Sequence, residues 1–248
     1  MDYLKVMSYN IHSGIGRDGK YSLDRIRDAI KAENPDFIAL QEVDVGLRKS
    51  HFDDQPAKLA EELNYFPYFC LTRVIERGTY GILTLSRFPI IERKKYDLSF
   101  RNDMEPRGIS RIDVKPGHNG LIDVYNIHLG LGVRERSYQR QLMLSDSILL
   151  NRSRKIPKII MGDFNDRFIS VVHGRLSRHF IDVFNFLRIK RRSTFRWRKV
   201  NLRLDHIYVS EQFQPVDAYV VKNKLTDQAS DHYPIVGILQ IKNGKADN

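Results

Sequence analysis

Short apolar runs alternate with amphipathic stretches along the chain, a pattern that predicts many strands and few helices. Leu4 to Ile11 alternates as a strand does. Ser22 then caps a helix with Leu23, Ile26 and Ile30 on its apolar face, ended by Asn34-Pro35. Phe37 to Leu40 reads as a short buried strand, Ala57 to Leu63 as a helix, and Tyr80 to Ser86 as a strand stopped by Pro89. Ile109 to Val114 and Leu121 to Ile127 form a hairpin across Pro116-Gly117-His118-Asn119-Gly120. A longer helix is expected from about Arg134, with Tyr138, Leu142 and Leu149 on one face. Lys158 to Met161, Leu204 to Val209, Ala218 to Val221 and Ile235 to Ile241 complete the strands. Many strands with hairpins among them imply sheets packed on each other, helices outside. No low-complexity linker splits the chain, so one domain is expected over residues 1–242, with 243–248 as a frayed tail.

Polar residues gather where these strands end. Asn10 and His12 close the first strand, Gln41 and Glu42 the second, and His128 the hairpin. Asp163 and Asn165 follow Ile159-Ile160-Met161, Asp205 and His206 sit in an apolar strand, and Asp231-His232 precede the last one. One such pair alone would organise a turn. Six of them converge if a closed sheet brings consecutive strand ends to one rim. Carboxylates with histidine nearby are what a Mg²⁺ or Mn²⁺ site needs, since hard cations take oxygen ligands.

Composition narrows the setting. With 248 residues, 42% of them hydrophobic, the chain can bury a substantial core without staples. Cys70 is the single cysteine, which excludes an internal disulfide and a thiolate metal cluster and favours a reducing compartment. No signal-peptide pattern opens the chain, and no apolar run approaches the ~18 residues of a membrane span. The expectation is a soluble, cytoplasmic protein. The formal charge of +11 favours a polyanionic partner: nucleic acid, an acidic membrane surface or a phosphorylated metabolite. Much of it is local. Arg188, Lys190, Arg191, Arg192, Arg196, Arg198, Lys199 and Arg203 fall in one acid-free stretch, interleaved with Phe195 and Trp197. Such a segment can pair with phosphates and stack on bases. It can equally turn its aromatics inward and leave the arginines on a solvated face.

Six motifs occur in order: Ser8-Tyr9-Asn10-Ile11-His12, Leu40-Gln41-Glu42-Val43, Asn126-Ile127-His128-Leu129, Gly162-Asp163-Phe164-Asn165, Arg203-Leu204-Asp205-His206-Ile207 and Ser230-Asp231-His232-Tyr233-Pro234. In order and spacing they resemble those of the endonuclease/exonuclease/phosphatase superfamily, which includes deoxyribonuclease I, exonuclease III, bacterial sphingomyelinases and inositol polyphosphate phosphatases. The resemblance spans residues 8 to 234. It implies a four-layer α/β/β/α sandwich with two mainly antiparallel sheets and the site at one end. It also implies that Glu42 is the main metal carboxylate, helped by Asn10 and Asp231. Asp163 would orient and deprotonate the attacking water, and Asn165 would hold a non-bridging phosphate oxygen. His232 would donate to the phosphoryl group with Asp205 fixing its tautomer, and His128 would be the second histidine. Arg107, Arg192, Arg196, Trp197 and Arg198 are the residues expected to hold substrate.

The pattern departs from its relatives at Gly78-Thr79-Tyr80-Gly81, where many carry Gly-Asn-Ala, which leaves Glu76 as the candidate for the partner that orients His128. His12 and His206 are expected to be structural, and His51, His118, His173 and His179 to lie at the surface or in turns. Tyr9-Asn10-Ile11-His12 recurs as Tyr125-Asn126-Ile127-His128, a repeat of the kind that internal pseudo-symmetry leaves. The expected activity is Mg²⁺- or Mn²⁺-dependent hydrolysis of a phosphodiester by in-line water attack, with nucleic acid as substrate. The alternative is a phospholipid headgroup, anionic lipid included, or a small phosphodiester. A catalytically silent binding module is disfavoured by the intact set of site residues.

Overall fold

Side chains alternate across a strand, so each strand of a two-sheet sandwich offers one set of residues to the facing sheet and the other to a covering helix. The computed structural model describes residues 3–117, 120–166, 171–197 and 200–242, and the expected tail at 243–248 and the hairpin residues His118 and Asn119 lie outside them. The first sheet runs in the order β13 (Phe213–Val220), β14 (Ile235–Ile241), β1 (Tyr3–Asn10), β2 (Phe37–Val45), β4 (Gly78–Ser86), β3 (Phe66–Ile75). The second runs β5 (Ile90–Asp97), β6 (Gly108–Val114), β7 (Ile122–His128), β8 (Lys158–Asp163), β12 (Asp205–Val209), β9 (Ile181–Asp182). A small hairpin of β10 (Phe195–Trp197) and β11 (Val200–Leu202) stands apart. Pairing is antiparallel except for β1 with β2 and β7 with β8. The repeated tetrapeptide therefore ends the first strand of the parallel pair in each sheet.

Three apolar layers hold the stack. Leu4, Val6, Phe37 and Ala39 of the first sheet face Ile112, Val124, Met161 and Ile207 of the second. Met7, Tyr9, Ile38 and Leu40 turn outward against α1 (Leu23–Glu33) and α2 (Gln55–Leu63). Ile109, Tyr125, Ile127 and Ile160 turn outward against α3 (Val133–Met143), α4 (Val171–Leu176) and the turns between them. The result is the four-layer α/β/β/α sandwich. Ile26 and Ile30 of α1 are fully buried, a burial worth roughly 1.5–3 kcal/mol each. Asn34 ends α1 in a left-handed conformation at φ 48°, and Asp54 caps α2 by accepting from the Ala57 amide. The short helix α5 (Val183–Phe186) packs on β12 and β13, and α6 (Thr226–Ala229) packs on α1.

Several details differ from the sequence reading. Ser22 holds the N-cap position of α1, but its side chain makes no capping hydrogen bond. The strand begun at Phe37 runs on to Val45 through a bulge, and the edge strands β3 and β5 carry no clear apolar alternation. The expected Tyr138–Leu142–Leu149 face does not form. The helix ends at Met143, Leu149 lies beyond it, and Tyr138 is 38% exposed. The buried face of α3 is mostly polar instead: Glu135, Arg136 and Gln139, with Met143 its one fully buried apolar residue. Gln139 accepts from the Gly130 amide at 2.9 Å, and Arg136 donates to the Leu131 carbonyl at 2.6 Å. This helix face grips the loop behind His128, so it needs hydrogen bonds more than apolar area. Among the described residues no helix is long and apolar enough to cross a membrane.

Candidate active site

Strand register gathers the polar ends. Asn10 stands beside Gln41 across β1 and β2, His128 beside Asp163 across β7 and β8, and Asp163 opposite Asp205 across β8 and β12. Counting alternate positions back to the inter-sheet core puts Asn10, His128, Asp163 and Asp205 all between the sheets, at one end. The same parity turns His206 the other way, under α4. Glu42 would also face outward in a regular strand. Instead Gln41 and Glu42 occupy a bulge opposite Ile82, and Glu42, at φ 57°, is swung to the rim. Gly162 lets β8 approach β7 closely, because a Cβ there would stand 1.9 Å from the Ile127 carbonyl oxygen. Below the rim lies a polar layer. Gln41 donates to the Asn126 side-chain oxygen at 2.8 Å, and Asn126 donates to the Leu40 and Leu83 carbonyls at 3.0 Å.

At the rim, the Asn10 amide donates to Glu42 at 2.8 Å and to Asp163 at 2.9 Å, while its carbonyl accepts from the His12 amide at 3.0 Å. Asp163 also accepts from the Asn165 backbone at 2.8 Å and lies 3.7 Å from His232 Nε2 and 3.8 Å from His128 Nε2. His232 Nδ1 donates to Asp205 at 2.8 Å. Asn165, left-handed at φ 49°, donates one amide hydrogen to the Leu129 carbonyl. Ser230 donates to the Asn10 backbone carbonyl at 2.8 Å and accepts from the His232 amide, which ties the last motif to the first. Asp231 is half-exposed, and Arg17 donates to its carbonyl at 3.0 Å.

Electrostatics separates the two histidines. Burial lowers the His232 pKa, but the Asp205 and Asp163 carboxylates outweigh it and carry the ring up to about 10. Burial, followed by the charges of Arg107 and His232, holds His128 well below its ordinary value. Burial and the nearby Asp205 push the Asp163 carboxyl up to about 7, against the opposing pull of His232 and the Asn10 hydrogen bond. The site therefore pairs a cationic imidazole with a neutral one. Arg107 is the residue beside His128, with one guanidinium nitrogen 3.0 and 3.2 Å from the two ring nitrogens, and Glu105 pairs with it at 3.0 Å. Glu76 lies in the exposed β3–β4 turn, so it is not the partner. Arg107 is buried, and its β6 neighbour Gly108 pairs with His128, a register that local sequence does not reveal.

The cleft above these groups has a volume of about 920 Å³, with Glu42, Arg107, His128, Asp163, Asn165 and His232 at its base. Leu131, Val133, Phe195, Leu202 and Leu204 form an apolar wall. Phe195 packs its ring 4.9 Å from that of His232, and its neighbour Thr194 accepts from the Leu204 and Asp205 amides. Arg192 lies on the approach to β10 and donates to Asn185. Arg198 and the side chains of Arg196 and Trp197 lie outside the described residues. His12 sits beside Asp231, at 4.0 Å, and at the edge of the site. His51 and His179 are exposed, and His118 lies outside the described residues. His173 is not a surface residue: on α4 it packs against His206 with ring centroids 3.9 Å apart, tilted by 31°, and bonds Tyr208 at 2.6 Å.

Two sets of donors could take a cation. Asp163, Asp205 and His232 offer atoms within 4.8 Å of one another, but the His232–Asp205 hydrogen bond and the charge on His232 already use that group. Glu42 keeps one carboxylate oxygen free of hydrogen bonds among the described residues, faces the cleft, and has Asp231 across it. An all-oxygen set of this kind fits a hard divalent ion better.

Comparison with known proteins agrees with this architecture. The sequence profile of the Endonuclease/Exonuclease/phosphatase family matches residues 7–232. The chain is 29% identical over 216 residues to YbhP of Escherichia coli strain K12, covering 83% of this chain and 84% of that protein. It is similar in fold to an endonuclease/exonuclease/phosphatase from Beutenbergia cavernae (TM-score 0.80, 22% identity, 98% of this chain and 72% of that one). It is similar in the same way to a mannosyl-6-phosphatase of Bacteroides thetaiotaomicron (TM-score 0.72, 20% identity, 95% and 99%).

Proposed function

The chain belongs to the endonuclease/exonuclease/phosphatase family, whose members hydrolyse phosphoesters, and from that premise we propose that it is a divalent-metal-dependent phosphodiesterase acting by in-line attack of water. The observation that carries the reading is the setting of Asp163: a buried carboxylate steadied by Asn10 and the Asn165 amide, with an imidazole on each side. A base whose pKa lies near 7 is suited to take the proton from water as its oxygen attacks phosphorus. His232, charged and held through Nδ1 by Asp205, donates from Nε2 to a phosphoryl oxygen where negative charge accumulates. The second amide hydrogen of Asn165, without an acceptor among the described residues, can do the same. Burial, reinforced by Arg107, keeps His128 neutral, and Arg107 adds a fixed positive charge at the base of the cleft.

Glu42 and Asp231 would hold Mg²⁺ or Mn²⁺, which supplies Lewis acidity toward the phosphoryl oxygens when bound. Asn10 serves that set by fixing Glu42 through its amide, and its side-chain oxygen, steadied by the His12 amide, keeps a second lone pair for the ion.

For substrate we propose nucleic acid. The charge of +11 supports a polyanion, and the wall of Phe195, Leu202 and Leu204 suits the sugar or base beside the scissile phosphate. A lipid-headgroup substrate is the second reading, favoured by Leu131 and Val133, which are 74% and 76% exposed at the cleft mouth. The test is hydrolysis of bis(p-nitrophenyl) phosphate, plasmid DNA, RNA and phospholipid vesicles with added Mg²⁺ or Mn²⁺, alongside the Glu42→Gln protein. Turnover is expected to need metal and to vanish in that variant, with DNA or RNA cleaved in preference to vesicles. Full activity in excess chelator, or in Glu42→Gln, refutes the metal mechanism. Cleavage of vesicles alone transfers the substrate to the second reading.

A further inference from the structure

Beyond Glu42 and Tyr80 the main cleft opens into a smaller cavity of about 250 Å³, which also reaches His12, Ser13, Lys49 and Arg73. Its floor is strained. His12, Ser13 and Glu42 take φ values of 46°, 55° and 57°, a left-handed region that residues with a Cβ seldom occupy. Strain of this kind persists only where the surroundings enforce it. Here a buried network does so. Gln55 donates to the Ser13 carbonyl and accepts from the Asp44 amide, both at 2.8 Å, and the Ser13 hydroxyl donates to Asp44 at 3.0 Å. Ser13, Asp44 and Gln55 are all buried.

The network also sets a cation. Lys49 donates to the Ser13 hydroxyl at 2.6 Å, lies 3.4 Å from Asp44 and stands 5.2 Å above the Tyr80 ring. Its ammonium group has three hydrogens, and these contacts leave one to face the cavity. Arg73, on the bulge of β3, has no ion-pair partner among the described residues. Of the two acids that line the cavity, Glu105 is paired with Arg107, and Glu42 takes one hydrogen bond from Asn10 and keeps its other oxygen for the divalent ion of the proposed function.

We propose that this cavity is a subsite for a second phosphate of the substrate, held by Lys49 and Arg73 one backbone unit from the scissile group. The subsite rests on the phosphodiesterase reading and narrows it to substrates that carry a neighbouring phosphate. A single-phosphate ester leaves both cations facing water. A polynucleotide fills both sites at once, and the second contact holds the first in register with Asp163 and His232.

The test compares binding of thymidine 3′,5′-bisphosphate and thymidine 5′-phosphate by calorimetry, with Mg²⁺ present, in wild type, Arg73→Gln and Lys49→Met. Wild type is expected to favour the bisphosphate about tenfold or more, the size of one charge-assisted contact. Each variant is expected to reduce that preference at least threefold. A wild-type preference below threefold overturns the subsite, as does a preference that both variants retain. Hydrolysis of thymidine 5′-(p-nitrophenyl phosphate) is read in parallel. Its absence counts against the phosphodiesterase reading, whereas binding without preference counts against the subsite alone.

Discussion

His173 provides a prediction whose size follows from its surroundings. Burial, reinforced by Arg203, lowers its pKa from the ordinary 6.5 to about 4, while Asp182 pulls weakly the other way. The unfolded chain therefore takes up a proton before the folded one does. Stability from this residue is intact above pH 6.5 and is lost as pH falls toward 4. Between pH 7.5 and pH 4.5 the loss comes to about 2.5 kcal/mol, from 1.36 kcal/mol per unit of displacement. Asp163 works in the opposite direction, because its raised pKa makes the folded state bind a proton first on acidification. Wild type alone would mix the two contributions, so the useful quantity is the difference between wild type and His173→Asn. Asparagine can keep the bond to Tyr208 but cannot titrate. Urea unfolding of both proteins at half-unit steps from pH 7.5 to 4.5 gives that difference. It is expected to shift by about 2.5 kcal/mol in favour of the variant as pH falls, on top of any constant cost of losing the ring. A difference that stays flat within ~0.5 kcal/mol would mean that the ring is charged or solvated in the folded protein, against its close packing on His206.

Two further outcomes follow from the rim. Asp205→Asn should lower turnover by about 10²–10⁴, and adding it to His232→Ala should cost little more, since the two act as one unit; multiplicative losses would contradict the pairing. Gly162→Ala places a Cβ 1.9 Å from the Ile127 carbonyl, so circular dichroism melting should show a loss of roughly 3 kcal/mol or more, and an unchanged midpoint would mean that β7 and β8 can separate freely.

Much of the site is legible in the sequence because its residues sit at the ends of strands whose interiors are strongly apolar. Asp163 follows Ile159–Met161 across the single residue Gly162, and the last strand, Ile235 to Ile241, is bounded as its pattern indicates. Where a residue's position depends on distant pairing, the sequence is silent. Arg107 meets His128 only through the register of β6 on β7, and Glu42 reaches the rim only through a bulge. The edge strand β5, Ile-Ile-Glu-Arg-Lys-Lys-Tyr-Asp, is exposed along most of its length, so it has no apolar alternation to read. The outer layer misleads most. α3 grips a loop through Glu135, Arg136 and Gln139, and His173 looks like a surface histidine until α4 lays it on His206.

The Gln41–Asn126 layer has a consequence for how such a scaffold can change. Apolar contacts carry no donor–acceptor matching, whereas two amides that must match donor to acceptor fix the offset of the sheets. Below that layer the apolar interior can exchange one aliphatic residue for another and repack without displacing Asn10 or Asp163. Above it, the Leu131–Val133 loop and the β10–β11 hairpin can vary in length and chemistry without disturbing the interior. A molecule partitioned in this way can keep its reaction while its substrate drifts, and two descendants with one set of catalytic groups can come to act on unrelated phosphoesters.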